Sequence, residues 1–125
     1  MILLILHLIG DYILQSDRMA SEKLHKWRMA LLHALIYSIP FYIFLDLSVI
    51  AFLVIFLTHA VIDRYRLAKY VIFARNWLHD RSLKWEDCSD TGFHKDKPIW
   101  MTVWLMIITD NTMHLTINYL AYTYL

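Results

Sequence analysis

The sequence predicts an all-α chain: a four-helix transmembrane bundle with both termini outside and two basic cytoplasmic loops. Three observations predict it. Of 125 residues, 59% are hydrophobic and 15% aromatic, with mean hydropathy +0.45, high for a soluble domain, while two glycines and two prolines leave little room for β-turns. All twelve Lys and Arg fall in two segments, Arg18 to Arg28 and Arg64 to Lys97. Four apolar stretches flank those segments: Ile2 to Gln15, Met29 to Leu45, Leu47 to about Ile62, and Ile99 to Leu125.

In a serpentine of four helices, the loops after the first and third fall on one side, and their positive charge assigns that side to the cytoplasm. A single transmembrane domain over residues 1–125 follows, in a multi-pass arrangement. The net charge of +1 gives no argument for nucleic acid, and the lone Cys88 can form no internal disulfide.

The first stretch offers only about fourteen apolar residues where ~20 are wanted, so it is expected to tilt or enter partway. It is expected to stay in the mature chain: it has no basic leader region or small-residue cleavage pattern, and His7 and Asp11 interrupt it. The second stretch follows Arg28, and the third runs up to Arg64. Within a cytoplasmic segment 64–98, Leu67, Ala68, Val71, Ile72 and Trp77 mix with Arg66, Lys69 and Arg75. That pattern suits a helical extension or a helix lying in the interface against anionic lipid. Asp87, Cys88, Asp90 and His94 are irregularly spaced in a polar stretch, which reads as a solvated loop and not as a zinc site. In the last stretch, Trp100 and Trp104 suit an interfacial belt.

Three times a histidine and an aspartate stand four residues apart inside an apolar stretch: His7/Asp11, His59/Asp63 and Asp110/His114. That spacing stacks the two side chains on one helical face. In the serpentine the order reverses correctly on the fourth helix, so every aspartate lies nearer the cytoplasm and every histidine about one turn deeper, in two layers. His33 enters at a depth similar to His59. Each buried Asp costs ~2.5 to 3.5 kcal/mol on insertion scales, so the carboxylates must be paired, protonated or metal-bound.

His7, Asp11, His33, His59, Asp63, Asp110 and His114 are therefore the candidate metal ligands, for one or two divalent ions, with zinc first and manganese, iron or magnesium as alternatives. Asp11, Asp63 and Asp110 are also the candidate catalytic carboxylates, one of them left free as general base. A hydrogen-bonded proton relay would use the same residue types. Gln15, Ser16 and Asp17 could orient substrate or ligands, although a helix cap explains Ser16 and Asp17 equally well. Asn111 adjoins Asp110. Arg64 and Arg66 could meet a phosphate or simply anchor the helix at the interface.

HLIGDYILQSDRMA at His7 to Ala20, LLHALIYSIPF at Leu31 to Phe41, HAVID at His59 to Asp63 and DNTMHL at Asp110 to Leu115 resemble domain-of-unknown-function family 3307, small integral membrane proteins of bacteria and their phages. The resemblance covers nearly the whole chain and implies a bacterial inner-membrane or phage-encoded origin, with no established activity. A looser resemblance runs to membrane-bound metal-dependent hydrolases, which also place His and Asp on membrane helices. No HExxH is present, which argues against a peptidase.

The functional expectation is a metal-dependent membrane hydrolase acting on a phosphoester or ester, with a lipid among the candidate substrates, at the cytoplasmic interface. The alternatives are a proton or metal-ion transporter or channel element, which four short helices would build only as a homo-oligomer, and a non-catalytic metal-stapled module acting on a host protein.

Overall fold

The computed structural model describes residues 1–125 and is all α-helical. The elements are α1 (Ile2–Leu8) running on into a π turn (Ile9–Ile13), then α2 (Asp17–Glu22), α3 (Trp27–Leu45), α4 (Val49–Tyr65), α5 (Leu67–His79), a 3-10 turn (Trp85–Asp87) and α6 (Ile99–Tyr124). The four expected helices are all present, and the mixed segment after Tyr65 forms a helix of its own. Arg66 takes left-handed backbone at φ 50°, which separates α5 from α4.

Of these helices, α3 alone is long and apolar enough to cross a membrane. Its nineteen residues span ~28 Å at 1.5 Å per residue, close to the ~30 Å hydrocarbon layer. The expected four spans are therefore not supported by length and composition. The first helix stops at Ile13, and α4 has seventeen residues because Asp46 turns the chain in left-handed conformation before it and Arg66 ends it.

The chain divides into two compact units, Met1–Tyr65 with His114–Leu125, and Arg66–Met113. In the first, α3 and α4 pack together and α1 lies on α3. Small buried residues, Ala30 and Ala34 on α3 with Ala51 and Ala60 on α4, let the two backbones approach. Leu6, Tyr37, Phe41, Leu47, Ala51, Ile55 and Ala121 form the core. Ser48 opens α4 by accepting from the Ala51 amide at 3.0 Å, while its hydroxyl donates to the Leu125 carbonyl at 2.9 Å.

In the second unit the stretch after α5 is packed, where a solvated loop was expected. Gly92, at φ +83°, lies so close to α5 that a Cβ would stand 2.2 Å from the Lys69 carbonyl oxygen. Lys69 Nζ donates to the Ser89 carbonyl, Asn76 Nδ2 donates to that of Gly92, and Tyr70 stacks on Trp85. Cys88 is buried beneath this turn, and burial pushes its thiol pKa up. Lys95 beside the half-buried Asp87 holds that carboxyl below its usual range.

Candidate metal centre

The π turn positions the first residue of the site. One residue beyond an α-helical turn is accommodated between Ile9 and Ile13, and this widened turn carries buried Gly10 and Asp11. Such turns recur at functional sites because they aim a side chain that a regular helix would not. Gly10 is required there: a Cβ would come within 2.5 Å of Tyr37 Cδ2 and 3.2 Å of Tyr37 Cα. Helices α3 and α4 supply His33, His59 and Asp63 from their packed faces.

These four residues converge. His33 Nε2 lies 3.0 Å from His59 Nε2, 3.1 Å from Asp11 Oδ1 and 3.1 Å from Asp63 Oδ2. His59 Nε2 lies 3.3 Å from Asp11 Oδ1 and 3.2 Å from Asp63 Oδ2. All four residues are buried. Two imidazole nitrogens and two carboxylate oxygens turned toward a common point form a cluster that can hold a metal ion.

Each carboxylate is held from behind. Asp11 Oδ2 faces His7 Nδ1 at 3.5 Å, and Asp63 Oδ1 faces His114 Nε2 at 3.4 Å. Between these flanking histidines Asn118 Nδ2 donates to Tyr37 OH at 2.6 Å, and that hydroxyl stands 2.8 Å from His7 Nδ1. On the other side Lys23 Nζ donates to Asp63 Oδ2 at 2.7 Å.

A family model for proteins of unknown function, DUF3307, matches residues 1–124. The chain belongs to this family. No curated protein and no solved structure matches it.

The matched region contains every residue of the cluster, and the structure sorts the seven expected ligands unequally. His33, His59, Asp11 and Asp63 form the inner group. His7 and His114 touch the outer oxygens of the two aspartates, one step removed. Asp110 is half-buried on α6, one helical turn before His114. The two expected layers are therefore sorted differently: His33 and His59 share a level with the carboxylates because i, i+4 side chains lean together, as His59 and Asp63 do.

Among the secondary candidates, Ser16 is the N-cap of α2, accepting from the Met19 amide, and Asp17 opens that helix. Gln15 Oε1 is buried without a hydrogen-bond partner. Arg64 donates to the carbonyls of Leu24 and His25. Asn111 follows Asp110 on α6, and Arg66 donates to Met106 Sδ. His94 pairs with Asp96, apart from buried Cys88.

Sequence reasoning missed Tyr37, Asn118 and Lys23. Two of them had a signal: Tyr37 follows His33, and Asn118 follows His114, at the same four-residue interval that marked the other pairs. Lys23 had none.

Proposed function

We propose that the chain is a metal-binding membrane protein whose His33, His59, Asp11 and Asp63 hold one divalent ion, zinc first, and that it hydrolyses a phosphoester or related ester at the cytoplasmic membrane interface. The geometry of the inner group carries this reading. Ligand atoms at ~2.0 Å around a tetrahedral ion stand about 3.3 Å from one another. The separations between these imidazole and carboxylate atoms, 3.0 to 3.3 Å, match that spacing.

An ion held there would supply Lewis acidity through a fifth position beyond these four ligands, polarising a scissile oxygen or acidifying a bound water. The protein's part is proton handling and orientation. Asp11 Oδ2 against His7, and Asp63 Oδ1 against His114, are the acid–base pairs that remain after the inner oxygens are committed to the ion.

The membrane part of the reading is supported by the exterior. Leu31, Leu35, Ile39 and Ile43 recur at four-residue intervals along α3, and Ile50, Leu53, Leu57 and Val61 at three- and four-residue intervals along α4, each at least 39% exposed. Apolar stripes of this extent are unfavourable in water and natural against lipid. With the positive segments in the cytoplasm, both termini lie outside.

The test is elemental analysis of protein purified in mild detergent, wild type beside His59→Ala, followed by hydrolysis of a chromogenic phosphoester. The expected result is about one ion per wild-type chain, little in the variant, and activity that follows the ion. Full activity in metal-free protein would end the hydrolase reading.

A second reading is favoured by the run of polar contacts from Asn118 through Tyr37, His7 and Asp11 to His33. Such a chain suits proton or ion movement. Flux through proteoliposomes, lost in Tyr37→Phe, would support it.

A further inference from the structure

Asp63 Oδ2, one of the four inner ligand atoms, also accepts a hydrogen bond from Lys23 Nζ. The Lys23 side chain is only 15% exposed, although it stands in the turn between α2 and α3, where a lysine ordinarily extends into water. That turn is fixed to the end of α4. Arg64, next to Asp63, donates Nη1 to the Leu24 carbonyl and Nη2 to the His25 carbonyl. Its guanidinium also lies over the rings of Trp27 and Tyr65. The main chain at Lys23 is thus pinned, while the four-carbon stem leaves the ammonium free to move.

We propose that Lys23 is an exchangeable cation of the metal centre: a divalent ion displaces it from Asp63 Oδ2, and the released ammonium, kept at the rim by the pinned turn, binds the phosphate of an anionic substrate. This rests on the metal reading above and adds a substrate class, a phosphoester and not a neutral ester.

Charge carries the argument. The carboxylates of Asp11 and Asp63 balance one divalent ion, so Lys23 becomes an unbalanced positive charge beside it. In a poorly solvated site the two cations repel, and an anion placed between them relieves the repulsion. Arg64 does not take this role, because both of its terminal nitrogens are engaged by the two carbonyls that hold the turn.

The test uses the full chain in mild detergent as wild type, Lys23→Gln and Lys23→Arg. Zinc affinity is measured by competition with a chromophoric chelator, and orthophosphate binding to the zinc-loaded protein by calorimetry. Lys23→Gln is expected to bind zinc about tenfold more tightly, its competitor gone, and orthophosphate about tenfold more weakly. Lys23→Arg, which keeps the charge, is expected to retain orthophosphate binding. Weaker zinc binding in Lys23→Gln would make Lys23 a structural brace and overturn the proposal, as would orthophosphate binding equal to wild type. A wild-type chain that binds no zinc would remove the metal centre itself, a result distinct from a zinc-binding chain indifferent to Lys23.

Discussion

The ring of Tyr37 lies flat on the imidazole of His59, with centroids 3.7 Å apart and planes 18° from parallel. One residue thus fixes the tilt of His59 with its face and reaches His7 with its hydroxyl. Since Tyr37 is fully buried in the core, packing and site geometry are coupled through a single side chain.

Tyr37→Phe keeps the stacked ring and removes the hydroxyl shared by His7 and Asn118. Loss of that buried partner is expected to cost about 1–3 kcal/mol of stability. Thermal unfolding in detergent measures the cost. Because the ring remains, zinc affinity should change less than in Tyr37→Ala, which also loses the stack.

The inner and flanking histidines should separate by magnitude. His33→Ala removes a nitrogen at the centre of the cluster, whereas His7→Ala removes a group that meets the outer oxygen of Asp11 and the hydroxyl of Tyr37. Loss of an orienting partner typically lowers metal affinity about 10–100-fold, and loss of a ligand should exceed that. Chelator competition ranks the two variants. Equal losses would show that His7 binds the ion directly.

Gly10→Ala tests the close approach of the π turn to α3. The new Cβ would meet Tyr37 at 2.5 Å, so the turn or the tyrosine must shift. Overpacking of this kind is expected to cost about 1–3 kcal/mol, and the shift should also weaken metal binding by moving Asp11. An unchanged melting temperature would mean that the turn gives way freely.

Cys88 is buried, and its raised thiol pKa keeps the nucleophilic thiolate scarce near neutral pH. Alkylation by iodoacetamide at pH 8 is expected to be slow in the folded chain and fast after denaturation, as read by mass spectrometry. Rapid labelling of the native protein would contradict the packed turn around Gly92.

The helices were legible because charge and apolarity are segregated: Arg28 and Arg64 mark ends that the structure places within two residues, at Trp27 and Tyr65. The packed turn was not legible, since its cohesion comes from backbone carbonyls of Ser89 and Gly92 that any polar sequence would offer. In the site, His33, His59, Asp11 and Asp63 stood out as ionisable groups in apolar runs. Which of the seven candidates form the inner group depends on helix rotation, and four-residue spacing fixes a face without fixing where it points. Tyr37 hid as an aromatic in an apolar run. Lys23 hid as an ordinary loop lysine, because its partner lies forty positions away.

The widened turn at Ile9–Ile13 makes segment length as much a part of the centre as side-chain identity. Deleting one residue there would restore an ordinary α-helix and swing everything on one side of the cut by about 100° relative to the other. A deletion at Ile9 or Gly10 would then turn Asp11 away from its partners on the neighbouring helices with every side chain of the cluster intact. A relative that keeps this histidine and aspartate but spaces them three apart should be expected to have lost the site.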